Sequence, residues 1–391
     1  MVDLGIGSYI YEVEERWGKL PEDWSLQEAA SVGTDSNDNV YVFNRGEHPM
    51  IVLDREGSFV HSWGEGVFTN PHGVTVGPDG SVYCADAGDH TVRKFTDDGT
   101  LLMTIGEKHR PSPPNSGEPF NRPTQIAVDL TSGELFVSDG YNNARVHKYS
   151  PEGDLLFSWG ESGTGPGEFN TVHNIAVDDD GWVYVADREN HRIQVFSSTG
   201  EFETQWVNMA AAACVDVDTR GEGLVYVGQF YAGLPANLAG YGNWTGKRLG
   251  PRVSIFDRKG ELKAHVGDEP SGMEPGRFIT PHGIAVDSRG DVYVAEVSYA
   301  CLFIVREGLA ITPPVTAGIL ESITRRAVMR LLEEDLSVTV VDRDVDRTEL
   351  YVADEVFLCG TGAELQAIEA VDGYTVGDGG TGPVVTRLEQ L

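Results

Sequence analysis

Positive charge is scarce in this chain: 29 Lys and Arg stand against 61 Asp and Glu, for a formal net charge of −32. Nucleic acids and anionic membrane surfaces would repel such a protein, which removes both from the expected partners. Cysteine is scarce too. Cys84, Cys214, Cys301 and Cys359 show no CxxC spacing, so they read as buried free thiols of a reducing compartment and not as a disulfide framework. No apolar run approaches the ~20 residues that span a bilayer. The opening MVDLGIGSYIYEVEE lacks the basic and apolar regions of a signal peptide. The expectation is a cytoplasmic protein with a small-molecule substrate.

What the sequence does have is repetition. A turn with Asp and Gly, a strand carrying an aromatic residue, a polar turn, an alternating strand, then D/E-G and a further strand recur along the chain. Examples are DNVYVFNRGEHPMIVLDREGSFVHSW (38–63), GSVYCADAGDHTVRKFTDDGTLLMTIG (80–106) and GWVYVADRENHRIQVFSSTGEFETQW (181–206). The aromatic positions are Tyr41, Tyr83, Phe136, Tyr184, Tyr226 and Tyr293. Units of this length with several short strands each indicate propeller blades. The reading is an all-β six-bladed β-propeller over residues 1–300, followed by a small α/β segment over 301–391. The wide final spacing is assigned to a Gly-rich surface loop at 231–250. The alternating YIYEVEERW (9–17) is expected to supply the outer strand that closes the ring, and LFIVRE (302–307) to fill the gap left in the last blade.

The innermost strands align as NPHGVTV (70–76), RPTQIAV (122–128), TVHNIAV (171–177) and TPHGIAV (280–286), with AASVGTD (29–35) and AACVDVD (212–218) as the remaining counterparts. His72, His173 and His282 hold one position in the second, fourth and sixth blades. Alternate blades of a six-fold ring stand a third of a turn apart, so three side chains at one height converge on the axis. A single histidine at a strand start is ordinarily structural. Three in this register match the open coordination of a catalytic zinc, which keeps one position for water or substrate. The other seven histidines lack the register and read mostly as surface residues. Strand polarity places Arg45, Tyr141 and Arg188, which follow the second strands, on the same rim. Asp139 and Asp187 read as turn braces.

The stretches VFNRGEHPMIVLD, NPHGVTV, VSDGYNNARVHKY, FNTVHNIAV, VYVADRENHRIQVF and ITPHGIAVDSRGDVYVAEVSYA cover nearly all of the first 300 residues. They resemble NHL-repeat propellers, in particular the peptidyl-α-hydroxyglycine α-amidating lyases. That resemblance implies zinc on His72, His173 and His282, an active-site arginine at Arg45, a catalytic tyrosine at Tyr141 and a further arginine at Arg188. It implies cleavage of the C–N bond of a carbinolamide to an amide and glyoxylate. Calcium does not carry over, because Gly283 stands where the animal lyases place an aspartate. A cytoplasmic chain is not a peptide-hormone processor, so the expected substrate is another small carbinolamide or hydroxy acid.

From residue 301 the repeat stops. The remainder resembles the C-terminal part of a branched-chain aminotransferase of the pyridoxal-phosphate class. The expected elements are a strand at LFIVRE, a helix over 322–336, a strand at SVTVVDRD and a helix near 348–353. SITRR and GTGAE match phosphate-binding turns, marking Ile323, Thr324 and Thr361 as vestigial contacts. The segment has no lysine, so it cannot form the Schiff base that this chemistry needs, and no pyridoxal phosphate is expected. The chain reads as a fusion. A non-catalytic NHL interaction propeller is the rival reading, and an aminotransferase is a third that the missing lysine disfavours.

Overall fold

The computed structural model describes residues 2–15, 17–26, 28–220, 223–230, 251–267, 275–297, 301–313, 323–360, 364–371 and 374–390. They fall into two compact units, one of residues up to 230 with 251–297, the other of residues 301–390. The Gly-rich stretch expected as a loop at 231–250 lies outside the described residues. No helix among the described residues is long and apolar enough to cross a membrane.

The first unit consists mainly of antiparallel sheets. Five have four strands each, beginning with Ala29–Thr34, Pro71–Val76, Gln125–Val128, Val172–Val177 and Ala211–Asp218; a sixth contains Pro281–Val286 and Val292–Glu296. We number these sheets 1 to 6 in chain order. Within each, neighbouring strands run antiparallel, and the turns between them are held by Asp, Ser or Thr side chains. Asp178, for example, accepts from the backbone N–H of Asp180 and Trp182 at 3.0 and 2.8 Å. The second strands of sheets 1 to 4 are buried throughout, whereas the outer strands expose successive residues, Phe59 and Val60 in sheet 1 and residues 202–205 in sheet 4. Apolar faces of successive sheets interlock. Tyr184, Ile193 and Trp206 of sheet 4 pack on Val215, Val225 and Phe256 of sheet 5. Burying a Val, Ile or Phe side chain contributes about 1.5–3 kcal/mol.

A polar brace repeats in every sheet. The last residue of the second strand, or its side-chain equivalent, accepts a hydrogen bond from a backbone N–H just ahead of the innermost strand. The pairs are Glu28 N to Asn44, Asn70 N to Asp86, Asn121 N to Asp139, Asn170 N to Asp187, Ala210 N to Gln229 and Thr280 N to Glu296, at 2.8–3.2 Å. Asp139 and Asp187 are therefore braces. Their buried carboxylates are further satisfied, Asp139 by Asn143 and His147, Asp187 by Asn190, Arg192 and Gln194. His147 is accordingly buried and not the surface residue expected.

Two expectations about ring closure are corrected. Residues Tyr9–Glu12 pair with Asp3–Ile6 as a separate hairpin, which packs Leu4, Tyr9 and Tyr11 against the cluster of sheets 5 and 6. The Tyr11 and Tyr226 hydroxyls meet at 2.9 Å. The strand Cys301–Arg306 does not complete sheet 6. It is the middle strand of the second unit, where Phe303 and Val305 share a core with Val328, Leu332 and Phe357. Among the described residues, sheet 6 keeps two strands. A cavity of about 1100 Å³ lies beside Val292–Glu296, lined by Val32, Val42, Ile255, Phe278 and Tyr293 among others.

The second unit is a five-stranded sheet in the order Thr339–Asp342, Leu309–Thr312, Cys301–Arg306, Glu355–Gly360, Glu364–Ala367. Helices Ile323–Glu334 and Pro383–Leu388 lay Val328, Leu332, Val385 and Leu388 on Phe303 and Phe357, whose rings stack at 5.1 Å. A short 3-10 helix, Arg347–Tyr351, stands where a helix near 348–353 was expected, started by a capping box of Asp346 and Glu349. Thr361 and the side chains of Ile323 and Thr324 lie outside the described residues. All four cysteines are free and buried.

Candidate metal centre

The site begins with a defect in the innermost strands. The pairing register of these strands slips by one residue between Pro71 and Gly73, Val172 and Asn174, and Pro281 and Gly283. The residue left out of the ladder is a histidine each time. A bulge of this kind frees one residue from pairing and re-aims its side chain. The same slip in sheets 1 and 5 leaves out Ala30 and Ala213. These, with Thr124 of sheet 3, are the true counterparts of the histidines, one residue earlier in sheets 1 and 5 than a gapless seven-residue alignment suggests.

The odd and even sheets use this position differently. In sheets 2, 4 and 6 it supplies an imidazole; in sheets 3, 5 and 1 it supplies a carbonyl. His72 Nδ1–H donates to Thr124 O at 2.7 Å, His173 Nδ1–H to Ala213 O at 2.6 Å and His282 Nδ1–H to Ala30 O at 2.6 Å. A carbonyl can only accept, so each Nδ1 carries the proton and each Nε2 keeps its lone pair. Ring centroids are 4.7–4.9 Å apart, a nearly equilateral triangle. One ligand nitrogen from each ring lies within 4.8 Å of the other two, the one His/Cys/Asp/Glu group of this kind among the described residues. Three neutral imidazoles, each oriented by a backbone acceptor, fit a divalent zinc-like ion.

Electrostatics favours the neutral form. All three rings are buried, and burial is the main force lowering their proton affinity. His72 titrates well below the ordinary histidine range, through burial, then His282 and Arg45. His173 is lowered likewise, through burial, then Arg188 and the other two histidines. His282 falls to about 3, through burial and then Arg45. A metal would meet no competing proton at neutral pH.

The structure brings all three non-histidine candidates to this triangle. The Tyr141 hydroxyl lies 2.9 Å from His72 Nε2 and 3.1 Å from His173 Nε2. Gly140 makes this possible, since a Cβ there would stand 1.8 Å from the Val172 carbonyl oxygen. Arg45 donates through Nε to Pro71 O at 3.0 Å and through Nη1 to Glu28 at 2.9 Å, leaving Nη2 without a partner among the described residues. Arg188 pairs with Glu189 at 2.7 Å, and its guanidinium lies 5.6 Å from the Tyr141 ring and 5.7 Å from that of Phe230. At Gly283 a Cβ would stand 2.6 Å from Ser31 Cα, so the innermost strands of sheets 6 and 1 approach too closely here for a side chain.

Sequence reasoning missed the three carbonyl acceptors, Phe230 and Arg122. Phe230 follows the brace residue of sheet 5 as Arg45 and Arg188 follow theirs, a register that could have located it. Its ring lies 6.0 Å from His173 and 6.1 Å from His282.

Comparison with known proteins finds two families in the chain, the second match beginning at residue 281, inside the first unit. NHL repeats match residues 68–95, 120–149 and 169–196, and the amino-transferase class IV family matches 281–371. Peptidyl-glycine alpha-amidating monooxygenase B of Xenopus laevis is 29% identical over 70% of this chain and 34% of its own. Peptidyl-alpha-hydroxyglycine alpha-amidating lyase 1 of Drosophila melanogaster is 33% identical over 64% of this chain and 47% of its own. NHL repeat-containing protein 3 of Mus musculus is 32% identical over 68% of this chain and 76% of its own. The chain thus spans less than half the length of the two amidating enzymes. It belongs to the NHL-repeat family that includes peptidyl-α-hydroxyglycine α-amidating lyase and NHL repeat-containing protein 3, and it carries a class IV aminotransferase segment at its C-terminal end.

Proposed function

We propose that the first unit is a six-bladed propeller acting as a zinc-dependent carbon–nitrogen lyase, which cleaves a small carbinolamide to an amide and glyoxylate or a similar carbonyl. The observation that carries this reading is the Tyr141 hydroxyl, held within hydrogen-bond reach of two of three converging, unprotonated Nε2 atoms. A hydroxyl so placed stands beside whatever the three nitrogens bind.

A bound zinc ion would supply Lewis-acid polarisation of the carbinol oxygen. Arg45 offers its free Nη2 to the carboxylate next to the carbinol carbon, and Glu28 and Pro71 O hold its guanidinium in place. The step requires Tyr141 to act as a phenolate base that takes the hydroxyl proton. The electrons of the broken O–H bond form the new C=O bond, the C–N pair goes to nitrogen, and Tyr141 returns the proton to that nitrogen as the amide leaves. Arg188 sits beside the Tyr141 ring, where it counters negative charge on the phenolate. Phe230, Ala211 and Ala213 form an apolar wall that limits water.

The tail, without a lysine from 281 onward, is assigned no transamination. Four free buried thiols support a reducing compartment. The test is metal analysis of the purified chain with a turnover assay on N-acyl-α-hydroxyglycines, following glyoxylate. One zinc per chain and stoichiometric glyoxylate are expected. Zinc without turnover on any carbinolamide would remove the lyase assignment, and absence of metal affinity would favour a non-catalytic NHL module, the reading that the broad match to NHL repeat-containing protein 3 supports.

A further inference from the structure

Three arginines surround the histidine triangle, and two of them are neutralised. Arg45 pairs with Glu28 and Arg188 with Glu189. Arg122 is different. Among the described residues its guanidinium makes no hydrogen bond or ion pair; its Cζ lies 4.9 Å from the centroid of the Tyr141 ring, and its backbone N–H donates to His90 Nδ1 at 3.2 Å. The side chain is half-buried. A guanidinium drawn partly out of water without a counter-charge is a standing electrostatic cost, which an anionic ligand would offset.

Its position belongs to the repeat; its chemistry does not. Arg122 lies two residues ahead of Thr124, at a backbone φ of 68°, and Thr171, two residues ahead of His173, has φ of 65°. The left-handed turn therefore recurs in sheets 3 and 4, while the arginine occurs in sheet 3 alone of the two. That turn brings the side chain over the ring whose hydroxyl touches His72 and His173. Summed over Arg45, Arg122, Arg188, Glu28 and Glu189, the mouth carries three positive and two negative charges, a net of one positive, before any divalent ion.

We propose that Arg122 is a specificity residue that binds a second carboxylate of the substrate, so that the preferred substrates are dianions. This rests on the lyase reading and deepens it. Arg45 takes the carboxylate beside the carbinol carbon, and Arg122, on the Tyr141 side of the mouth, takes a carboxylate farther along the acyl or side-chain portion. A substrate with one carboxylate leaves Arg122 without an anionic partner, as it stands among the described residues.

The test measures binding separately from turnover, on the zinc-loaded full chain. Glycolate, a monoanionic α-hydroxy acid, and malate, its dianionic counterpart, are titrated calorimetrically into wild type, Arg122→Gln and Arg122→Lys. Zinc content and melting temperature of each variant confirm that the site is intact. Wild type is expected to bind malate about tenfold more tightly than glycolate, the size of one charge-assisted hydrogen bond. Arg122→Gln should abolish that preference and change glycolate affinity less than about twofold, with Arg122→Lys between. Equal affinity of wild type for the two acids overturns the specificity role and leaves the lyase reading standing. So does a variant that binds both acids normally yet turns over every carbinolamide more slowly, since Arg122 would then only orient Tyr141. Failure of wild type to bind either acid removes the carboxylate site of the lyase reading, and the inference falls with it.

Discussion

The imidazole Nδ1–H of His282 donates to the carbonyl of Ala30 at 2.6 Å, joining residues 252 positions apart. One bond thus fixes the tautomer of a candidate ligand and ties sheet 6 to sheet 1. Because the acceptor is backbone, no side-chain change at Ala30 short of a bulky one removes it. The sensitive partner is the histidine. His282→Ala is expected to lose the metal, with at least a hundredfold weaker zinc affinity, and to lower the melting temperature of the metal-free protein as well. His72→Ala and His173→Ala should match it on affinity. Equilibrium dialysis with zinc measures the first effect and calorimetry the second. Undiminished affinity in any one of the three single variants would show that the triangle is not the ligand set.

The buried imidazoles also set a pH dependence. All three have native proton affinities below that of an unfolded histidine, which titrates near 6.5. Below that pH the unfolded chain holds protons that the native protein refuses. Their contribution to stability is therefore complete above about pH 6.5 and is lost as pH falls, toward about 3 for His282. The slope is about 1.4 kcal/mol per pH unit for each ring. Asp216, whose carboxyl burial raises to about 6, works in the opposite direction. Its contribution is present below its unfolded pKa and lost as pH rises through 6, and it is common to wild type and variant. Denaturant titrations of metal-stripped protein should thus show a shallower loss between pH 6.5 and 4.5 for His282→Gln than for wild type. Parallel curves would mean that His282 is not buried and neutral.

Tyr141 and Gly140 form a pair of predictions with distinct signatures. Tyr141→Phe removes only the hydroxyl and should cut turnover by about 10²–10⁴-fold with zinc content unchanged, the usual worth of a proton-transfer group. Gly140→Ala keeps the hydroxyl but drives a Cβ into the Val172 backbone, which must shift Tyr141, or the His173 strand, or both. It should lower turnover and also weaken zinc binding. Glyoxylate release and zinc dialysis on the two variants separate the effects; turnover equal to wild type in Tyr141→Phe would assign that residue to the scaffold.

Much of this site was legible because a repeat turns spacing into geometry. His72, His173 and His282 share a position in alternate units, and the strand polarity that put Arg45, Tyr141 and Arg188 on one rim follows from the hairpin order. The bulges were not legible. A bulge has no residue signature here, since the residues left out are histidine in three sheets and alanine in two, and the carbonyls they expose look the same in every sequence. The address of a strand was equally hidden. LFIVRE is apolar enough to complete either sheet 6 or the second unit, and only its ladder with Glu355–Gly360, some fifty residues downstream, decides the matter. His147 was misread for the same reason, because its partners Asp139 and Ser158 come from neighbouring strands.

The last prediction concerns the tail, and the placement of Cys301–Arg306 reverses what the sequence suggested. If that strand had filled sheet 6, removing it would have exposed an edge and weakened the first unit. Instead it pairs with Leu309–Thr312 on one side and Glu355–Gly360 on the other. Sheet 6 is formed by Pro281–Val286 and Val292–Glu296 without it. The bond from His282 to Ala30, the brace from Thr280 N to Glu296 and the ion pair of Arg55 with Asp287 all lie ahead of residue 298. A chain ending at Val297 should therefore fold, bind one zinc with the affinity of the full chain and keep its melting transition within a few degrees. A chain ending at Gly308 should fare worse, because it carries Phe303, Ile304 and Val305 without the strands and helices that bury them, and it should self-associate. Zinc dialysis and light scattering on the two truncations decide this. Loss of metal binding in the chain ending at Val297 would show that the first unit depends on the tail after all.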